Sequence, residues 1–153
     1  NKAVDALGIG NGICNVDFIL SKDGLQIIEM TCRMGGTHLP EVCGEYWGLN
    51  LYRLAIQLSL GERPELLPKP LGKANAAHNL IFHSEGKLEK LGEIDKKFNW
   101  YFYFEEGENI TLNASNQVEL GYVHAIGSDA LETLNSALRA ANNFCKTTQI
   151  KEK

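Results

Sequence analysis

The sequence predicts a mixed α+β chain in two pieces: a β-hairpin followed by two helices, then a small β-rich piece closed by one helix. Three observations carry this. Two β-rich runs, 13–20 (ICNVDFIL) and 25–31 (LQIIEMT), flank a short SKDG turn, the signature of a hairpin. Residues 61–73 hold three of the four prolines, which marks a boundary. Near the end, Leu131, Leu134, Leu138 and Ala141 recur at helical intervals, as in a helix that covers a sheet.

Each element follows in order. The opening NKAVDALGIGNG reads as the tail of a helix entering a turn, and a chain starting at Asn1 is expected to be a fragment. After the hairpin come Gly35 and Gly36, then Thr37 as N-cap of a helix with Pro40 in its first turn. That helix is expected to break near Gly48. Asn50 then caps a second helix with Leu51, Leu54, Ala55 and Leu58 on one face and Gly61 as its stop. Beyond the prolines, strands are expected at 75–83, about 87–94, 99–104 and 118–126. The final helix starts near Ser128 or Asp129, where Asp129 and Glu132 have capping-box spacing. The expected domains are 1–62, a linker at 63–73, and a small domain at 74–153.

Composition excludes several classes. A chain of 153 residues, 44% hydrophobic and 22% charged, is an ordinary globular sequence, and a chain of this size buries roughly two thirds of its unfolded surface. No run approaches the ~18 apolar residues of a membrane span. The formal charge of −4 comes without a Lys/Arg block, so neither nucleic acid nor membrane is an expected partner. Cys14, Cys32, Cys43 and Cys145 form no C-x-x-C pair and no zinc spacing with the four histidines. They read as buried thiols of a cytoplasmic protein. The sequons at Asn109 and Asn113 would matter only in a secreted chain.

The chemistry concentrates on the hairpin. With a three-residue Lys22-Asp23-Gly24 loop, Ser21 pairs with Leu25, Asp17 stands opposite Glu29, and Asn15 opposite Thr31. Alternation then puts Asn15, Asp17, Glu29, Thr31 and Arg33 on one face, leaving Val16, Phe18, Leu20, Ile28 and Met30 to enter the core. Facing carboxylates repel, and hard oxygen ligands of this kind suit Mg²⁺, which takes one or two carboxylates and completes its octahedron with water and phosphate. Arg33 is placed to address phosphate as a bidentate donor. The same residues also fit an exposed polar face with Arg33 as surface counter-ion. The glycine pair reads either as an anion-binding turn or as a plain one, and His38 as a substrate contact or a structural residue. His78, His83 and His124 lie on strands, and Trp100–Phe104 reads as a strand of a packed sheet.

The stretch NVDFILSKDGLQIIEMTCRMGGTHLPE resembles the metal-binding end of the ATP-grasp superfamily. The family pattern is an acidic residue on one strand, then Glu-x-Asn-x-Arg about a dozen residues later, often followed by glycines. Asp17 matches the first acidic ligand, Glu29 the second, and Arg33 the arginine that contacts phosphate. Thr31 departs from the pattern, since most members carry Asn there; a hydroxyl is a weaker ligand, or acts through water. More loosely, NLIFHSEGKLEKLGEI and GYVHAIGSDALETLNSALRAANNF resemble the closing small domain of the biotin carboxylase-like and carbamoyl-phosphate-synthase-like branch.

The resemblance implies the C-terminal portion of an ATP-grasp fold: an antiparallel hairpin sheet with helices, plus a small β-rich closing domain. It implies a cytoplasmic ligase fragment that joins a small carboxylate to an amine through an acyl phosphate, with ATP and Mg²⁺ as cofactors and Mn²⁺ as a substitute ion. Asp17, Glu29 and Thr31 would hold the metal, Arg33 would act in catalysis, and Gly35, Gly36, Thr37 and His38 would line the substrate end. The partner of this half would be the missing N-terminal part of the same chain, without which the fragment is expected to be inactive. A homodimer of the whole enzyme is left open. The rival readings are a carbamoyl-phosphate-synthase-like or biotin-carboxylase-like enzyme and a non-catalytic docking module.

Overall fold

A computed structural model describes residues 2–65 and 70–152, in two compact units, 1–72 and 73–153. Residues 66–69, which belong to the expected linker, lie outside the described residues. Among the described residues no helix is long and apolar enough to cross a membrane.

The first unit holds α1 (Lys2–Ala6), β1 (Asn15–Ser21), β2 (Gly24–Thr31), α2 (Leu39–Trp47) and α3 (Leu51–Ser59). β1 and β2 form an antiparallel hairpin of two strands. Its turn is shorter than the sequence suggests. Ser21 stands opposite Gly24 and Leu20 opposite Leu25, so the loop is Lys22-Asp23 alone. The Ser21 hydroxyl closes it, accepting from the Asp23 N–H and donating to the Gly24 carbonyl, each at 3.2 Å. A bulge between Asp17 and Phe18 then slips the pairing by one residue. Phe18 pairs with Ile27 and Asp17 with Glu29, which leaves Ile28 as the extra residue of a two-against-one bulge.

Two helical expectations need correction. The residue capping α2 is His38 rather than Thr37, and it makes no side-chain capping bond. Both residues are left-handed, with φ of 48° and 64°, and the Leu39 N–H reaches back to the Gly36 carbonyl; the turn is too tight for Thr37 to reach the helix. The other caps match the sequence reading. Gly48 ends α2 at φ 67°, and the Asn50 side chain accepts from the Arg53 N–H at 2.9 Å. The Tyr52 hydroxyl donates to Glu41 at 2.6 Å and ties α3 to α2.

The apolar face of the hairpin was expected in a core. Instead Phe18, Leu20 and Ile28 are 53%, 77% and 66% exposed. The buried residues of α2 are Pro40 and Gly44, and α3 buries none. The helices pack on each other and the two strands on each other, so among the described residues Val16 and Met30 are half-buried while Phe18, Leu20 and Ile28 stay uncovered.

The second unit contains β3 (Ala74–Phe82), β4 (Gly86–Lys90), β5 (Asn99–Phe102), β6 (Asn109–Ile110), β7 (Val118–Gly127), α4 (Ala130–Thr147) and β8 (Gln149–Lys151). Two antiparallel sheets, ordered β3-β7-β5 and β6-β4-β8, share one core with α4. Leu80, Leu88, Leu120, Val123 and Phe144 are fully buried there, each contributing roughly 1.5–3 kcal/mol of burial. Trp100 and Phe102 pack their rings on Phe144, with centroids 5.3 and 5.4 Å away. Gly121 has φ 149°, and a Cβ there would run into the Tyr101 carbonyl; β5 can lie this close only to glycine.

α4 begins where expected, with Asp129 accepting from the Glu132 N–H at 2.8 Å, but it turns a different stripe inward. Thr133, Ala137, Ala141 and Phe144 are buried, whereas Leu131, Leu134 and Leu138 are exposed. Small residues let the helix approach β3 and β7 closely, and one phenylalanine fills the remaining depth. His124 is buried and its Nε2 lies 3.1 Å from the Asn75 side-chain oxygen. His83 donates from Nδ1 to the Asn116 carbonyl at 3.0 Å.

Candidate functional site

The bulge places the acidic pair. Beyond it, Asp17 faces Glu29, and Asn15 faces Thr31, so four oxygen-bearing side chains share one face in two adjacent rows. Direct cross-strand neighbours have Cβ atoms about 5 Å apart. Both carboxylates are exposed, while Asn15 and Thr31 are half-buried. Among the described residues neither carboxylate forms an ion pair. Water and salt screen exposed charges, so their repulsion alone does not demand a cation.

The donors themselves are more informative. The Thr31 hydroxyl oxygen is buried and has no hydrogen-bond partner, although buried hydroxyls are nearly always satisfied. The Asn15 amide donates from Nδ2 to Asp17 Oδ1 at 3.2 Å. No group of three or more His, Cys, Asp or Glu side chains gathers among the described residues. An ion here would therefore have two carboxylates, neutral oxygens, water and ligand oxygens, a hard donor set that fits Mg²⁺ or Mn²⁺ and not zinc.

Arg33, two residues past β2, is exposed and donates from Nη1 to the Met34 carbonyl at 2.8 Å. That bond leaves most of its five donors for other partners. Gly35 packs tightly, since a Cβ there would stand 2.7 Å from Asn15 Oδ1 and 2.8 Å from Leu39 Cδ1. Gly36 has open space around it. Thr37 and His38 hold the strained left-handed turn into α2, a conformation that persists where surrounding structure enforces it. A groove of about 650 Å³ lies between β1 and α2, lined by Asn15, Asp17, Gly35 and Pro40 among others.

The cysteines are less buried than expected, since Cys32 and Cys43 are exposed. Cys14 and Cys32 stand one residue beyond the Asn15–Thr31 pair on the two chain segments. Burial, and then the neighbouring Cys32, push the Cys14 thiol above its usual pKa.

Comparison with known proteins adds a second line of observation. No family model matches the chain. An uncharacterized protein, y4rH of Sinorhizobium fredii, is 27% identical over 131 residues, covering 82% of this chain and 27% of that protein. Carnosine synthase 1 of Gallus gallus is 32% identical over 80 residues, covering 52% of this chain and 9% of that one. Among solved structures, phosphoribosylglycinamide synthetase from Anaerococcus prevotii superposes on 99% of this chain at a TM-score of 0.72 and 25% identity. This chain has the fold of the C-terminal part of an ATP-grasp enzyme.

Two further ATP-grasp structures agree on the fold. L-amino acid ligase from Bacillus licheniformis covers 99% of the chain at a TM-score of 0.65 and 19% identity. The biotin carboxylase domain of the Hydrogenobacter thermophilus 2-oxoglutarate carboxylase covers 98% at 0.68 and 18% identity, in a complex with MgADP and bicarbonate. The chain spans 40% of the first two structures and 34% of the third. Sequence likeness to the curated relatives is likewise confined to a minor share of their length.

Proposed function

We propose that this chain supplies the metal- and phosphate-facing half of an ATP-dependent carboxylate–amine ligase that works through an acyl phosphate. The observation that carries the reading is the cross-strand pair Asp17–Glu29, lying on a hairpin of ATP-grasp fold beside the unpartnered Thr31 hydroxyl. Asp17 and Glu29 hold Mg²⁺, with Thr31 as a neutral donor and Mn²⁺ as a substitute. An ion held there would supply neutralisation of negative charge on the ATP phosphates. Arg33 turns its free donors toward the transferring phosphoryl group and stabilises charge as it spreads over the equatorial oxygens. Gly35, Gly36, Thr37 and His38 line the end of the site where the carboxylate and the amine meet.

In that site a substrate carboxylate oxygen attacks the γ-phosphorus and ADP leaves. The amine then attacks the acyl carbon, phosphate departs, and the nitrogen gives up a proton. The protein's contribution is positioning and fixed charge rather than side-chain proton transfer. The names of the carnosine synthase and L-amino acid ligase relatives support amino acids as substrates. The exposed apolar face of the hairpin supports a longer protein whose remaining part covers it, since contiguous apolar surface marks a place where protein meets protein. By the same reading, residues 1–153 alone would lack the adenine-binding half and would not turn over ATP.

The test is to incubate the full-length protein with ATP, Mg²⁺, a panel of amino acids and hydroxylamine. Hydroxamate formation together with carboxylate-dependent ADP release is the expected result. ATP cleavage that requires bicarbonate would move the assignment to carboxylase-type or carbamoyl-phosphate-type chemistry. Absence of Mg²⁺-dependent nucleotide binding would make the chain a docking module.

A further inference from the structure

Asn15 matches no ligand in the sequence pattern, yet several contacts converge on it. It stands opposite Thr31 and shares a face with Asp17 and Glu29. Its amide reaches Asp17, Nδ2 to Oδ1, at 3.2 Å. A carboxylate only accepts hydrogen bonds, so the amide nitrogen must face Asp17 and the amide oxygen must face away. That oxygen points at Gly35, where a Cβ would come within 2.7 Å of it. Gly35 is not among the glycines with positive φ, so its backbone angles do not require glycine. The requirement is space, and it is occupied by Asn15 Oδ1 at 2.7 Å and by Leu39, whose Cδ1 and Cβ would stand 2.8 and 3.1 Å away.

We infer that Asn15 is a positioning residue of the divalent-cation site, and that position 35 is glycine to admit its amide. Asn15 occupies one oxygen of Asp17 and so fixes the carboxylate plane, leaving the second oxygen to join Glu29 at the ion. The inference rests on the metal reading given above and extends it to the residue behind the ligand. Groups that orient a metal ligand in this way change metal affinity by about 10–100-fold when removed. The neighbouring Thr31 hydroxyl, unpartnered and across the strand pair from Asn15, is the neutral oxygen this row has to offer, since the Asn15 amide oxygen faces Gly35.

The experiment is Mn²⁺ titration of the full-length protein, with free Mn²⁺ followed by electron paramagnetic resonance and folding by thermal melts. Wild type should bind and Glu29→Gln should lose binding. Asn15→Ala should weaken Mn²⁺ by on the order of tenfold at an unchanged melting temperature. Gly35→Ala should weaken it to a similar extent by displacing the Asn15 amide. The double variant should be no weaker than Asn15→Ala alone, because the added methyl then meets only Leu39 and has no amide to displace. Wild-type affinity in Asn15→Ala, with Glu29→Gln inactive in binding, would overturn the role of Asn15 and leave the metal reading standing. Fully additive losses would sever the link between Gly35 and Asn15. Failure of the wild-type protein itself to bind Mn²⁺ would overturn both. Gly35→Ala also serves should Asn15→Ala fail to fold.

Discussion

The two units divide their labour unequally. Residues 73–153 contain the buried apolar core, with Leu80, Leu88, Leu120, Val123 and Phe144 out of solvent. Residues 1–72 carry the acidic pair, the arginine and the strained turn, but α2 buries only Pro40 and Gly44 and the apolar strand face stays open. The contrast teaches that a cross-strand constellation needs register, not a core beneath it. Two strands, a two-residue turn and one bulge are enough to bring Asp17 to Glu29.

The largest stability effects should therefore fall in the second unit. Phe144→Ala in this 153-residue chain should cost about 3–5 kcal/mol, the usual loss for a buried aromatic. Phe18→Ala, at 53% exposure, should cost under ~0.5 kcal/mol. Urea melts followed by Trp100 fluorescence in a Trp47→Phe background would measure the first, and melts followed by Trp47 fluorescence in a Trp100→Phe background the second, since each tryptophan lies in a different unit. Equal losses would break the comparison by placing Phe18 in a core.

A smaller effect sharpens it. Asp129 and Asn50 cap helices with the same bond, at 2.8 and 2.9 Å. Asp129→Ala should cost about 1 kcal/mol, because α4 anchors Ala137, Ala141 and Phe144 in the core. Asn50→Ala should sit near the low end, ~0.5 kcal/mol, because α3 buries nothing. Circular dichroism melts of the two variants would give the order.

Legibility followed the same division. Most cap chemistry was local, so Gly48, Asn50 and Asp129 could be identified from residue type and spacing, whereas His38 and not Thr37 caps α2. The pairing of Asp17 with Glu29 was also legible, though the path to it was not: a shorter turn and a bulge at Ile28 cancel, and neither leaves a signal in alternation. The inward stripe of α4 escaped because leucines outrank alanines in any apolar count, while close packing on a sheet selects the small residues. β6 and β8, of two and three residues, are too short for any period to register. Asn15 was placed on the right face, but its hydrogen bond to Asp17 and its contact with Gly35 exist only in three dimensions.

The most direct measurement is kcat for ATP turnover in the full-length protein at saturating Mg²⁺, comparing Glu29→Gln, Arg33→Ala and Thr31→Val, each checked for folding by thermal melt. Charge holds a hard ion and a migrating phosphoryl group, whereas a neutral hydroxyl can be replaced by water. Glu29→Gln should therefore lower kcat by at least ~10³, and Arg33→Ala by a similar factor. Thr31→Val should lower it about tenfold, roughly 1.4 kcal/mol. A folded Glu29→Gln enzyme that keeps its kcat within about tenfold of wild type would contradict the claim that this hairpin face is the metal half of the site.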